Sequence, residues 1–270
     1  TKILAMPENP LQRLRVILIG SGNVASNLGR ALMDADTEIV QVYSRKPSNA
    51  KALAKKLKAK VLTDLSKMDK RPALIIIAVK DDAIEAVVKK IKINDGIVVH
   101  TSGSAPIDVL KKFTQYGVLY PLQTFSKDRK VDFSNVPMCL EGSDMSTLKS
   151  LMNIAETLSE CVYHLDSKQR QAAHLAAVFA NNFTNHIYSI AEDLLNENKL
   201  PFDLIRPLID ETALKVMDDF PTKTQTGPAV RKDTKVMTRQ IALLKKHPEL
   251  KELYNELSKS IIKKASRKKK

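Results

Sequence analysis

The stretch Ala73-Leu74-Ile75-Ile76-Ile77-Ala78-Val79 carries no polar side chain, and that limits what this chain can fold into more than any other feature. A strand with one wet face alternates apolar and polar residues. An unbroken apolar run therefore predicts a strand covered on both faces, as in a parallel sheet layered between helices. Val16 to Ile19, Glu38 to Tyr43 and Gly96 to His100 are further strands of this kind, and Val61-Leu62 is a shorter one. Helical spacing falls between them, through Val24, Leu28, Ala31 and Leu32, then over Ala50 to Leu57 and Asp82 to Ile91. A helix over Ile107 to Phe113, strands at Gly117–Tyr120, Pro137–Glu141 and Cys161–His164, and a helix over Met145 to Leu158 continue the rhythm. This alternation predicts an α/β fold with a doubly wound, Rossmann-type sheet.

From Ser167 onward the strand signals stop. Four segments of helical period follow, Lys168–Asn196, Pro201–Phe220, Pro228–Lys246 and Pro248–Lys264. The chain thus divides into a sheet domain over 1–165 and an all-helical domain over 166–270. The first of these helices is apolar nearly all round, which predicts a buried central helix. Its stretch Ala172 to Ile190 exceeds what three helices with charged faces can cover, so a homodimer built on the helical domain is expected.

No apolar run reaches the ~20 residues of a membrane span, and the N-terminal TKILAMPENPLQRL is too broken by prolines and charges for a secretory signal. These features point to the cytoplasm and to no membrane partner. Cys139 and Cys161, the two cysteines, sit in apolar strand-like stretches and read as reduced core thiols, and no ligand spacing suggests a metal. Lys and Arg exceed Asp and Glu by 44 to 30, but half of that excess lies between Leu243 and Lys270. Without aromatic platforms, such a basic end reads as a solvated helix terminus rather than a nucleic-acid surface.

The turn after the first strand reads Gly20-Ser21-Gly22-Asn23-Val24-Ala25. In a dinucleotide-binding unit the first glycine makes the turn, the second admits the pyrophosphate and a third small residue lets helix and strand touch. The helix from Asn23 aims its free N–H groups at the phosphates. Where an enzyme using NAD places a carboxylate, at the end of the second strand, this chain has Ser44-Arg45-Lys46. A hydroxyl and two cations suit the 2′-phosphate of NADP.

Ligands of such sheets lie beyond the carboxyl ends of the strands. Ala78-Val79 and Thr101-Ser102 are therefore expected beside the cofactor, the last two holding the nicotinamide carboxamide or a substrate oxygen. His100 is either a donor to a substrate carbonyl or a structural hydrogen-bonder closing its strand. His174 and Asn181 are seven apart, on one stripe of the central helix with Val178 between them. They serve either as general acid and orienting amide for a substrate, or as bonded polar groups within a dimer core. Arg231, in the first turn after Pro228, is either an anchor for a substrate carboxylate or a surface partner of Asp233.

Several stretches together resemble a known group. They are the glycine turn, Val99-His100-Thr101-Ser102-Gly103, Tyr120-Pro121-Leu122-Gln123-Thr124-Phe125, Ala173 to Phe183, and Thr226-Gly227-Pro228-Ala229-Val230-Arg231-Lys232-Asp233. The group comprises Rossmann-like NADP oxidoreductases whose helical C-terminal half is a domain of unknown function of the DUF2520 type. They are distantly similar to pyrroline-5-carboxylate reductase and to reductases using NADP or a deazaflavin. The resemblance implies fold and cofactor, and it departs from the expected pattern at Lys232, where a glycine would stand. Related hydroxyacid dehydrogenases carry a lysine four residues before the helix asparagine; here Ala177 and Val178 precede Asn181 and Asn182, which disfavours a lysine acid. The expected function is NADP-dependent oxidoreduction of a small carbonyl or imine compound. The alternative is a non-enzymatic NADP-binding sensor.

Overall fold

The computed structural model describes residues 14–267, except for 70, 72, 94 and 128. The N-terminal segment read above for a signal lies outside the described residues, as does the Lys268–Lys270 end of the basic tail. The described chain forms two compact units that divide between His186 and Ile187.

The first unit is built on an eight-stranded sheet in the order β3-β2-β1-β4-β5-β6-β7-β8. The strands are β1 Arg15–Ile19, β2 Glu38–Tyr43, β3 Lys60–Leu62, β4 Leu74–Ile77, β5 Ile97–His100, β6 Tyr116–Pro121, β7 Met138–Gly142 and β8 Val162–His164. All neighbours pair in parallel except β6 with β7. The apolar runs are double-sided, as their composition requires. Val16 and Leu18 face a core formed with Leu28, Leu32 and Leu151. Ile17 and Ile19 face the opposite core with Ile84, Val88 and Leu110. The covering helices are α1 Asn23–Asp34, α2 Pro47–Lys56, α3 Ile84–Lys90 and α4 Met145–Glu156. Pro47 opens α2 at a position where its missing N–H costs nothing, so that helix starts earlier than its apolar residues alone suggest. The segment expected as a helix over Ile107–Phe113 is a single 3-10 turn, Ile107–Leu110.

Helix α5, Ser167–Ala177, opens with a capping box between Asp166 and Gln169. It passes through a π-helical turn, Val178–Phe183, into α6, Thr184–Glu197. The first unit therefore continues past the 165/166 boundary and includes all of α5. The expectation of a buried central helix is corrected here: Arg170 is the buried residue of α5, and α6 has none. Leu175, Phe179 and Phe183 are 59%, 62% and 50% exposed. Apolar periodicity states that a face needs cover, and these three side chains keep about half of their surface or more exposed.

In the second unit α7 Arg206–Asp218, α8 Pro221–Thr224, α9 Pro228–Arg231, α10 Thr234–Leu243 and α11 Pro248–Arg267 follow. The helix expected over Pro228–Lys246 is broken between α9 and α10. Lys232 adopts the left-handed conformation, with φ +56°, at the end of α9, and Asp233 caps α10 by accepting from the Val236 N–H. The chain thus has a lysine in a conformation that glycine adopts without steric cost. That accounts for the glycine expected there on resemblance.

Candidate active site

The cofactor end of the sheet lies where the strand order reverses, between β1 and β4. Gly20 follows β1 with φ +131°, and its N–H donates to the Tyr43 carbonyl at 2.8 Å. A Cβ at Gly20 would run into the Ala78 carbonyl beyond β4. The two strand ends approach so closely that only glycine fits. Gly22 differs: a Cβ there would meet nothing within 4 Å. It precedes α1 as an N-cap without a side-chain bond, so the first N–H groups of the helix face open space. The Asn23 amide is turned away and donates to the Phe125 carbonyl at 2.6 Å, while Val24 is half-buried in the first turn.

Ser21 and Ser44 share a hydrogen bond of 2.8 Å that ties the glycine turn to the end of β2. Arg45 and Lys46 next to it are exposed, and among the described residues neither has an ion pair. A groove beside Ser21 is lined by Ser26, Arg30, Asn49, Lys56 and Lys127, with no carboxylate in its wall. Val79, half-buried, follows Ala78 at the end of β4.

A second cluster occupies the carboxyl ends of β5 and β6. His100 is fully buried; its Nδ1 accepts from the Ser102 N–H at 3.1 Å, and its Nε2 has no hydrogen bond of normal geometry. Burial, reinforced by the Arg170 charge, pushes its pKa down to about 4, with the Pro106 carbonyl opposing. The enclosed ring, with Nδ1 engaged by the Ser102 N–H, suits a hydrogen-bonder that closes its strand, while Nε2 lacks a partner among the described residues and keeps the other alternative open. Thr101 and Ser102 are 8% and 7% exposed. The Ser102 hydroxyl accepts from the Ser104 and Ala105 N–H groups at 3.0 and 2.9 Å, and its own hydrogen stays free to donate.

Arg170 of α5 holds this loop. Its Nε donates to the Ser102 carbonyl at 3.2 Å, one Nη donates to the Ala105 carbonyl and the other pairs with Glu141 of β7 at 2.5 Å. Glu141 also accepts from the Ser167 N–H and hydroxyl. Four residues after Arg170, on the same helix face, comes His174. Its ring lies flat on the loop: a Cβ at Gly103 would approach its Cγ and Nδ1 to 2.6 Å. The Tyr120 hydroxyl of β6 stands 2.8 Å from His174 Nδ1, with the two rings edge to face.

The stripe of His174 does not pass through Asn181. A π turn bonds residues five apart instead of four, so the helical count slips by one across it. The Thr184 hydroxyl donates to the Phe179 carbonyl, five residues back, at 3.1 Å within this wide turn. The line from His174 therefore meets Asn182, eight residues on, and the seven-residue spacing read from the sequence is corrected. Both asparagines are exposed. Arg231 lies in the second unit, at the end of α9, and is exposed. Its expected ion pair with Asp233 is absent among the described residues, since that carboxylate caps α10.

The fold and the glycine turn decide a class once the likeness of the whole chain is added. It is 43% identical to BF3122 from Bacteroides fragilis, provisionally named an NADP oxidoreductase, over 94% of this chain and 99% of that one, with a TM-score of 0.86. The chain belongs to this NADP oxidoreductase family. Residues 15–103 match the family described as NADP oxidoreductase, coenzyme F420-dependent, and residues 136–261 match a domain of unknown function, DUF2520. A reductive aminase from Aspergillus terreus, in complex with NADPH4, cyclohexanone and allyl amine, is 12% identical, with a TM-score of 0.66 over 95% of each chain. Pyrroline-5-carboxylate reductase from Streptococcus pyogenes is 14% identical, with a TM-score of 0.59 over 92% of this chain and 98% of that one. Those two likenesses show the fold alone. No curated protein matches the chain.

NADP is the cofactor of this oxidoreductase family, and the turn fits a dinucleotide. Above Gly22 there is room that a side chain would fill, the start of α1 is uncapped and the walls beside Ser21 are cationic or neutral. Sequence reading did not single out Arg170 or Glu141, and it met Tyr120 only within a stretch of resemblance and Asn182 only as a neighbour of Asn181. No helix among the described residues is long and apolar enough to cross a membrane, and no group of three metal-ligating side chains occurs among them.

Proposed function

We propose that this oxidoreductase reduces a small carbonyl or imine compound with NADPH, and that His174 gives the proton. The observation that carries this reading is the placing of His174 against Gly103, in the loop that leaves the carboxyl end of β5. The bound cofactor supplies the hydride. The chain's own residues do the rest: the turn Gly20-Ser21-Gly22 and the N–H groups of Asn23 and Val24 take the pyrophosphate, and Ser44, Arg45 and Lys46 take the 2′-phosphate. Ala78, Val79, Thr101 and Ser102 line the path toward the reacting end. His174 in its charged form passes the Nε2 proton to the oxygen or nitrogen of the double bond as the carbon accepts hydride. Asn181 and Asn182 are candidates for orienting the substrate. The printed names of the reductive aminase and pyrroline-5-carboxylate reductase neighbours support a C=N or C=O substrate.

A panel of small keto acids, aldehydes and cyclic imines, scored by NADPH consumption, tests the reaction. Turnover that His174→Ala abolishes supports it. Tight NADPH binding without turnover of any member overturns it in favour of an NADP sensor. Arg45→Ala combined with Lys46→Ala is expected to weaken NADPH at least tenfold more than NADH, since each charge-assisted phosphate contact contributes about 1.5 kcal/mol or more. Equal weakening of both, by titration of cofactor fluorescence, would remove these residues from the 2′-phosphate.

We also propose that a second copy of the chain covers the exposed apolar side chains of α5 and the π turn. Leu175, Phe179 and Phe183 form a patch that is costly to leave in water, and a two-fold interface needs one self-complementary surface. Sedimentation is expected to show twice the 30.1 kDa chain mass. A single chain-mass species at low micromolar concentration would exclude the dimer.

A further inference from the structure

His174 has two ring nitrogens, and the geometry treats them unequally. Nδ1 stands 2.8 Å from the Tyr120 hydroxyl. The ring cannot retreat from that contact on its other side, where the Gly103 backbone is so close that even a Cβ would come within 2.6 Å of Cγ and Nδ1. Tyr120 is 9% exposed and crosses the imidazole edge to face at 77°. Burial, with the neighbouring Cys139 second, pushes the phenol up to about 12, so it keeps its proton throughout the physiological range. A protonated phenol can donate to the nitrogen of a neutral imidazole, and a nitrogen that accepts from it cannot carry the ring's own hydrogen.

We propose that Tyr120 is the positioning residue of His174: its hydroxyl engages Nδ1, fixes the ring plane and leaves Nε2–H as the single donor of that ring free to meet a ligand. The same hydroxyl serves both protonation states. It donates to Nδ1 of the neutral ring and accepts from Nδ1–H of the charged one. When the charged ring gives its Nε2 proton to a substrate oxygen or nitrogen, it is left transiently as the Nδ1–H ring with Tyr120 accepting; a proton from water then returns to Nε2, and loss of the Nδ1 proton to water restores the resting Nε2–H form. Tyr120 touches His174 and not the reacting atoms, so its effect is on orientation and tautomer. The catalytic consequence rests on the reading of His174 given above; the tautomer itself does not.

The test uses the full chain labelled with 15N-histidine and long-range proton–nitrogen correlation spectra. Five histidines occur in the sequence, and the His174 signals are assigned by their loss in His174→Gln. The wild type is expected to show His174 purely as the Nε2–H form, with a slowly exchanging Tyr120 hydroxyl proton close to the ring. Tyr120→Phe is expected to show both tautomers, an unchanged NADPH affinity and, with any substrate found, a kcat about tenfold lower at constant KM. An Nδ1–H tautomer in the wild type, or a tautomer ratio that Tyr120→Phe leaves unchanged, overturns the proposal. If the variant does not fold, the wild-type spectrum decides alone. A pure Nε2–H form in a protein that turns over no substrate would sink the reductase reading and leave the positioning of His174 standing.

Discussion

Arg170→Ala is expected to lower the unfolding free energy by about 3–5 kcal/mol, the range for removing one partner of a buried ion pair. Arg170 is 1% exposed, and its partner Glu141 has 12% of its side chain exposed. Its loss strips the Ser102 and Ala105 carbonyls of their donors as well. Three acceptors, the Ser102 carbonyl buried and those of Ala105 and Glu141 part-buried, lose this donor, and truncation leaves a void where the arginine stem was packed. Urea titration of the variant against the wild type measures the cost. Glu141→Gln is the contrast: the amide keeps an acceptor for Arg170 and for Ser167, so it is expected to lose less. A stability change below about 1 kcal/mol in Arg170→Ala would mean that water replaces the guanidinium without penalty, and that the 102–105 loop holds itself.

Gly22→Asp is expected to leave the melting temperature close to that of the wild type and to reduce NADPH affinity more than about 100-fold. The two halves of this expectation come from one fact, the open space over Gly22. A Cβ there meets no protein atom within 4 Å, so folding is expected to tolerate the side chain, but its carboxylate stands at the N-cap of α1, beside the first N–H groups of the helix. Juxtaposed like charges cost several kcal/mol, and each 1.4 kcal/mol is about a factor of ten in affinity. Gly20→Ala behaves in the opposite way, because its Cβ collides with the Ala78 carbonyl and its φ of +131° disfavours any side chain. It is expected to impair folding itself. Calorimetric titration with NADPH beside a thermal melt separates the two substitutions. Unchanged NADPH affinity in Gly22→Asp would remove the glycine turn from the cofactor site.

The sheet was legible because its signal is local and redundant. Ala73 to Val79 has no polar residue to turn toward water, so both faces must be covered, and Leu74–Ile77 is indeed buried on both. The glycine turn was legible because a strand, a tight turn and a helix follow one another within a few residues, and each has its own pattern. The cations after β2 were legible by contrast with the carboxylate that NAD requires. The π turn left no comparable mark: Val178-Phe179-Ala180-Asn181-Asn182-Phe183 suits an ordinary helix, and one extra residue in the turn changes which asparagine lies below His174. Lys232 was equally silent: a lysine does not announce a left-handed backbone, and the helix expected over Pro228–Lys246 breaks there between α9 and α10.

By itself, then, the sequence determined the layers, the order of strands and helices along the chain, the glycine turn before α1 and the charge after β2. These follow from side-chain periods of two and 3.6 residues, which each segment carries within itself. Only the tertiary structure decided which polar groups meet inside. Arg170 reads as an ordinary helix-surface residue until Glu141, 29 residues earlier, and the carbonyls of Ser102 and Ala105 close around it. His100 shows only in the folded chain that its Nδ1 is engaged by the Ser102 N–H. His174 gains a partner for its Nδ1 only when Tyr120, 54 residues away in the chain, comes within 2.8 Å of it. A period specifies which face a residue takes, but a hydrogen bond needs two groups within about 3 Å, and the path of the chain in space sets that distance.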